Sequence, residues 1–216
     1  MKFLSIDFET ANDSLLSACA IGAAYFENME TSNTSHSLIK PPLFHKKLKT
    51  ENFNIHKIDY SEYSKSKNFK TIWFQLVEQL QIIENDETHF VCFNAIFDLS
   101  VLMNLTKKYN IKKNFVFYDP MEIAKHIWPD RESYSLKNLS KDFDIELNHH
   151  NPLSDATAAG KLVIKQLEIT NASSLEEILN KYSLEFIKTD LNQNGFYDHY
   201  GNFKQAAKNF QEIKKK

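Results

Sequence analysis

Lys2-Phe3-Leu4-Ser5-Ile6-Asp7-Phe8-Glu9-Thr10 decides how this chain is read. Apolar and polar residues alternate, which predicts a strand over 2–8. Side chains two apart on a strand share a face. Asp7 and Glu9 therefore point one way, while Leu4, Ile6 and Phe8 cover the other. Two like charges on one face are unfavourable unless a cation or a strong partner neutralises them. Hard divalent cations such as Mg²⁺ take oxygen ligands of this kind.

Residues 17–27 read as a second strand, with the small residues Ala18, Ala20, Gly22 and Ala24 alternating. Such a stripe lets a helix or a substrate come close to the sheet. A third strand is expected over 34–40, ended by Pro41-Pro42, and then a basic, loop-rich segment over 41–66. Ile72, Leu76, Leu80 and Ile83 give 68–83 a helical stripe. His89 to Phe93 reads as a short buried strand, 97–109 as a helix and Phe115 to Tyr118 as a last strand. Helices are expected near 120–127, 135–142 and 153–168. Early strands followed by strand–helix alternation argue for an α/β sheet with helices on both faces. Beyond 170, Ser173 to Lys181 reads as a capped helix, 190–202 is polar and turn-rich, and 203–216 is expected to form a terminal helix.

The 216 residues suit one domain with an appendage, divided here into 1–169 and a C-terminal extension over 170–216. Hydrophobic residues make up 42% of the chain, with 17 Phe, enough for a sizeable core. No apolar run is long enough to span a membrane. The start, Met1-Lys2-Phe3-Leu4-Ser5-Ile6-Asp7, meets an acid too early for a secretory segment. Cys19 and Cys92 are expected to be buried free thiols. A cytoplasmic location is the expectation. Net charge is −2, yet residues 40–70 hold eight Lys against three acids, and the chain ends Lys214-Lys215-Lys216. These runs read either as solvated surface or as a basic rim that draws phosphates toward an acidic centre.

Two more acids extend the first pair. Asp98 falls in the first turn of the helix that follows Phe93, where the helix dipole favours a carboxylate. Asp155 follows Pro152, a residue suited to a first helical turn, and Ala156, Ala159 and Val163 form that helix's apolar stripe. His150 lies in the loop just before it, beside His149.

Taken together, Asp7-Phe8-Glu9-Thr10, Asn94-Ala95-Ile96-Phe97-Asp98, and His150 five positions before Asp155 resemble the DEDD superfamily of 3′→5′ exonucleases in its DEDDh branch. The resemblance covers about residues 1–168 and is to the proofreading-type subgroup, like the polymerase III epsilon subunit. It implies a ribonuclease H-like mixed five-stranded sheet flanked by helices, with a C-terminal helical or irregular extension. It also implies two divalent cations, Mg²⁺ or Mn²⁺, held by Asp7, Glu9, Asp98 and Asp155. His150 is implied as the general base, with His149 as the competing choice. Thr10, His56 and Phe97 align with positions that contact the terminal nucleotide. The implied reaction is hydrolysis at the 3′ end of single-stranded nucleic acid, DNA before RNA, releasing nucleoside monophosphates in proofreading, repair or turnover. A DNA polymerase or clamp is the protein partner such a role suggests. Phe93 stands where the family often has His, and Lys57 follows His56 where Gly is common. Two other readings stay open: a non-catalytic nucleic-acid or polymerase-binding module on the same fold, and a metal phosphohydrolase acting on small nucleotides.

Overall fold

A computed structural model describes residues 1–80, 89–207 and 209–213. Ile83 of the expected helical stripe and Lys214-Lys215-Lys216 lie outside these described residues.

Strand β1 (Lys2–Thr10) pairs antiparallel with β2 (Ala18–Glu27), and β2 pairs antiparallel with β3 (Glu30–Leu38). Asn28 and Met29 both take positive φ, 52° and 66°, which closes β2 and β3 in a two-residue hairpin. On the other side of β1 lie β4 (His89–Val91) and then β5 (Val116–Tyr118), both parallel. These five strands are the expected sheet.

Three more continue it. β6 (Ile187–Asp190), β7 (Gly195–Tyr197) and β8 (Phe203–Gln205) add antiparallel to β5, giving the order β3-β2-β1-β4-β5-β6-β7-β8. The expectation of a terminal helix over 203–216 is corrected here. Among the described residues of that stretch, 203–205 form an edge strand and only Phe210–Ile213 is helical. Phe203 packs its ring edge-to-face on Tyr197 across the strands, a cross-strand contact that outweighs weak helical periodicity. The segment 41–66 also holds more order than expected: a 3₁₀ turn (Leu43–His45), helix α1 (Thr50–His56) and helix α2 (Tyr60–Tyr63).

Helices cover both faces. α3 (Phe69–Gln79) and α4 (Ile96–Lys108) close a core of Leu4, Ile6, Phe8, Trp73, Phe90 and Leu102. α5 (Pro120–Ile127), α6 (Leu136–Asp142), α7 (Pro152–Thr170) and α8 (Leu175–Lys181) lie on the opposite face. There Phe3 stacks on Phe26 at 4.8 Å beside Val163 and Leu167. Cys19 and Cys92 are buried free thiols, and burial pushes both thiol pKa values up.

Candidate active site

The four acids meet at the C-terminal end of β1. β1 and β4 pair only as far as Ser5–Val91, so the rest of β1 runs on past its parallel neighbour. Crevices outside the carboxyl ends of strands are where open α/β sheets bind ligands. Asp98, in the first turn of α4, reaches into this split and its Oδ1 accepts the Phe8 N–H at 2.8 Å. That N–H would otherwise have no strand partner on this side.

Asp155 arrives from the other face. In the sheet register Asp7 sits opposite Gly22 of β2. A Cβ on Gly22 would lie 2.1–2.2 Å from backbone atoms of Pro152 and Leu153. The missing side chain therefore lets the first turn of α7 rest directly on β2 beside Asp7. This is the close approach expected from the small-residue stripe. The turn is fixed by Asn151, whose side chain caps the helix by accepting from Ser154 N–H at 3.0 Å. Carboxylate oxygens of Asp7, Glu9 and Asp155 come within 4.8 Å of one another.

Electrostatics follow from this convergence. Burial pushes the Glu9 carboxyl up to about 8, with the charges of Asp155 and Asp98 adding to the shift. Burial likewise raises Asp98 to about 8, against the stabilising Phe8 hydrogen bond. Asp7 is raised well above the ordinary carboxylate range by burial and by the charges of Asp98, Glu9 and Asp155. Carboxylates stacked this way bind a proton or a cation. An all-oxygen set is the donor chemistry that Mg²⁺ and Mn²⁺ prefer, so the residues fit the implied metals.

Both histidines lie at the mouth. His149 Nδ1 is 3.2 Å from each Asp155 oxygen, and the backbone N–H of His150 donates to Asp155 Oδ2 at 2.9 Å. The two rings stack at 3.9 Å. The sequence predicted no such contact for His149. His150 takes φ 68°, and at this turn the His149 ring and the His150 backbone N–H meet the same carboxylate. Burial and the neighbouring His149 hold the His150 pKa below its usual value, against the pull of Asp155. His150 also depresses His56 across the cleft, where burial is the larger cause.

Of the three expected nucleotide contacts, Thr10 and His56 lie together. A register shift between Glu9 and Thr10 kinks the strand end. Thr10 O then accepts from Asn52 Nδ2 at 2.8 Å and lies 3.3 Å from His56 Nε2. His56 Nδ1 accepts the Ile58 N–H at 2.9 Å, so both ring nitrogens are engaged within the chain. Phe97 is half-buried against the core and meets Phe210 edge-to-face at 5.6 Å.

Sequence reasoning missed Asp119. Its buried carboxylate accepts the N–H groups of Asn94, Ala95 and Met121 at 2.9–3.0 Å. It thereby holds the turn that launches α4 and Asp98. The signal was Asp119 directly before Pro120, a helix cap followed by a first-turn proline.

The exonuclease family model, of the ribonuclease T type, matches residues 4–163. The chain belongs to this exonuclease family. Over 199 residues this exonuclease is 25% identical to the PolC-type DNA polymerase III of Caldanaerobacter subterraneus, a match covering 87% of the chain and 13% of that protein. Over 200 residues it is 27% identical to the 3′-5′ exonuclease DinG of Staphylococcus haemolyticus, covering 88% of the chain and 21% of that protein. The chain thus spans no more than about a fifth of these curated relatives' length. Its fold is that of the nuclease domain of 3′hExo, a DEDDh family member solved bound to rAMP. The TM-score is 0.64 at 11% identity, covering 77% of this chain and 92% of that one.

Proposed function

We propose that this exonuclease removes nucleotides from the 3′ end of single-stranded DNA, one 5′-monophosphate at a time. The observation that carries the reading is the convergence of Asp7, Glu9, Asp98 and Asp155 beside a histidine pair. Asp7, Glu9 and Asp155, with Asp98 behind them, would hold two divalent cations, Mg²⁺ or Mn²⁺. When bound, such ions stabilise charge on the attacking and leaving oxygens of a phosphodiester.

The chain's own groups supply the rest. His150 accepts a proton from the attacking water. Its lowered pKa leaves the ring neutral, with a lone pair free, at neutral pH. The new P–O bond forms as the P–O3′ bond breaks, and the 3′ oxygen departs on the shortened strand. His149 is committed to Asp155 and orients it. Thr10 and Phe97 position the terminal nucleotide, Phe97 by stacking on its base, while His56 and Asn52 hold Thr10 in place. DNA is favoured over RNA because the similar proteins include the PolC-type DNA polymerase III of Caldanaerobacter subterraneus. The same likeness supports a polymerase or clamp as partner, and proofreading as the setting.

Single-turnover hydrolysis of 5′-labelled single-stranded DNA and RNA tests the assignment. His150→Ala is expected to slow the chemical step by about 10²–10⁴-fold, and His149→Ala far less. Equal losses would remove His150 as the base, and faster cleavage of RNA would reverse the substrate preference. Oligonucleotide binding without metal-dependent cleavage would instead favour a binding module.

A further inference from the structure

Phe44 is the most exposed large apolar side chain among the described residues, at 92%, and its neighbour Leu43 is 66% exposed. Exposure on a floppy tip would mean little, but this turn is bolted down. Asn12 Nδ2 donates to His45 O at 2.9 Å and to Lys47 O at 2.7 Å. His45 Nδ1 and Ser14 Oγ are 2.7 Å apart, and Lys49 N–H donates to Ala11 O at 2.8 Å. All four bonds end on residues 11–14, which directly follow Asp7, Glu9 and Thr10. The turn that carries the ring is therefore a rigid shelf, anchored to the segment that leaves the acid-bearing strand.

The shelf is also cationic. Lys46 and Lys47 flank it, and Lys46 Nζ lies 5.9 Å from the ring centre of half-exposed Tyr60. Lys108, from the end of α4, is close enough to help burial depress the His45 pKa. Of the nearby acids, Asp13 pairs with Lys49 and Glu51 also acts on it, while Asp59 and Glu62 form a capping box at the start of the Tyr60 helix. An exposed aromatic ring near cations that make no ion pair among the described residues suits a base flanked by phosphates.

We propose that the Leu43–Lys47 shelf grips single-stranded nucleic acid outside the cleavage centre, with Phe44 stacking on an unpaired base and Lys46, Lys47 and Lys108 meeting backbone phosphates. This deepens the proposed function and rests on it for the identity of the strand.

Fluorescence anisotropy of 5′-fluorescein-labelled dT₁₂ with the full chain in Ca²⁺ buffer tests the shelf. Phe44→Ala is expected to weaken binding by about fivefold or more, with Phe44→Trp retaining it. Lys46→Gln with Lys47→Gln is expected to flatten the slope of log affinity against log salt by about 1.4. Phe44→Ala binding within twofold of wild type, an unchanged salt slope, or no binding by the wild-type chain would each overturn the shelf. A partner protein on Phe44 would give the first of these. Hydrolysis of the p-nitrophenyl ester of thymidine 5′-monophosphate reports on the cleavage centre alone and is expected to be unchanged in Phe44→Ala. Its absence in the wild type would count against the proposed function, while the anisotropy still judges the shelf.

Discussion

Glu9 shows how much of this site is electrostatic. Its carboxyl titrates at about 8 and that of Asp98 at about 8, both raised above unfolded values near 4.5 and 3.8. A raised folded pKa means that the folded chain holds the proton more tightly than the unfolded one. That stabilisation is complete below the unfolded pKa and is lost as pH climbs through the folded value. Without metal, the melting temperature should therefore fall between about pH 4.5 and pH 8. Added Mn²⁺ should restore more of it at pH 8 than at pH 5, since a cation replaces the lost protons. Thermal melts across pH, with and without the metal, check this, and a flat metal-free profile would contradict it. At this scale Asp7, Glu9, Asp98 and Asp155 were all legible, because strand alternation and helix-start placement leave a carboxylate few directions to point. Lys57 shows the limit. It takes φ 60° as the left-handed cap of α1, the conformation that favours Gly. Its departure from the family pattern thus concerns backbone strain.

At the scale of elements, everything turns on α7 resting against β2. Gly22 makes room for its first turn, and Gly160 lies under the Phe26 ring, where a Cβ would sit 2.1 Å from a ring carbon. Backbone atoms at Pro152 and Leu153 cannot swing aside as a side-chain tip can. Gly22→Ala should cost about 3 kcal/mol, the upper end of the usual overpacking range, or push the first turn off the sheet, taking Asp155 away from Asp7. Urea unfolding and DNA cleavage measured together test this, and wild-type values for both would refute it. The alternating small residues made this contact readable in advance. The start of β3 was not readable, because Glu30–Leu38 is polar and mostly exposed, so no burial pattern marks it. Its hairpin uses Asn28-Met29, without the glycine that usually signals such a turn.

Over the whole molecule, the C-terminal segment is tied into the nuclease framework. It extends the sheet by β6–β8 and then returns toward the site, where Phe210 N–H donates to Asp13 O at 3.0 Å. His199 is buried beneath it. Its Nε2 accepts the Asp119 N–H at 3.2 Å, which leaves the Nδ1 proton to bond Glu185 O. Asp119 in turn holds the turn before Asp98, so this buried contact also links the extension to the site. His199→Ala should destabilise the chain by about 2–4 kcal/mol through the cavity and the orphaned N–H. It should also lower cleavage without abolishing it. A loss under about 0.5 kcal/mol, the scale of ordinary surface changes, would show the extension to be a loose appendage. Sequence alone could not show this, since strands of three or four residues leave almost no periodicity and a single buried His gives no pattern.

The most direct test of the acidic centre is a product ladder from 5′-labelled single-stranded DNA, run with Mg²⁺, with EDTA, and with folded Asp7→Asn. Stepwise shortening from the 3′ end in the first condition alone is the predicted result. Shortening that persists in EDTA or in Asp7→Asn would contradict a cation-dependent mechanism centred on these carboxylates.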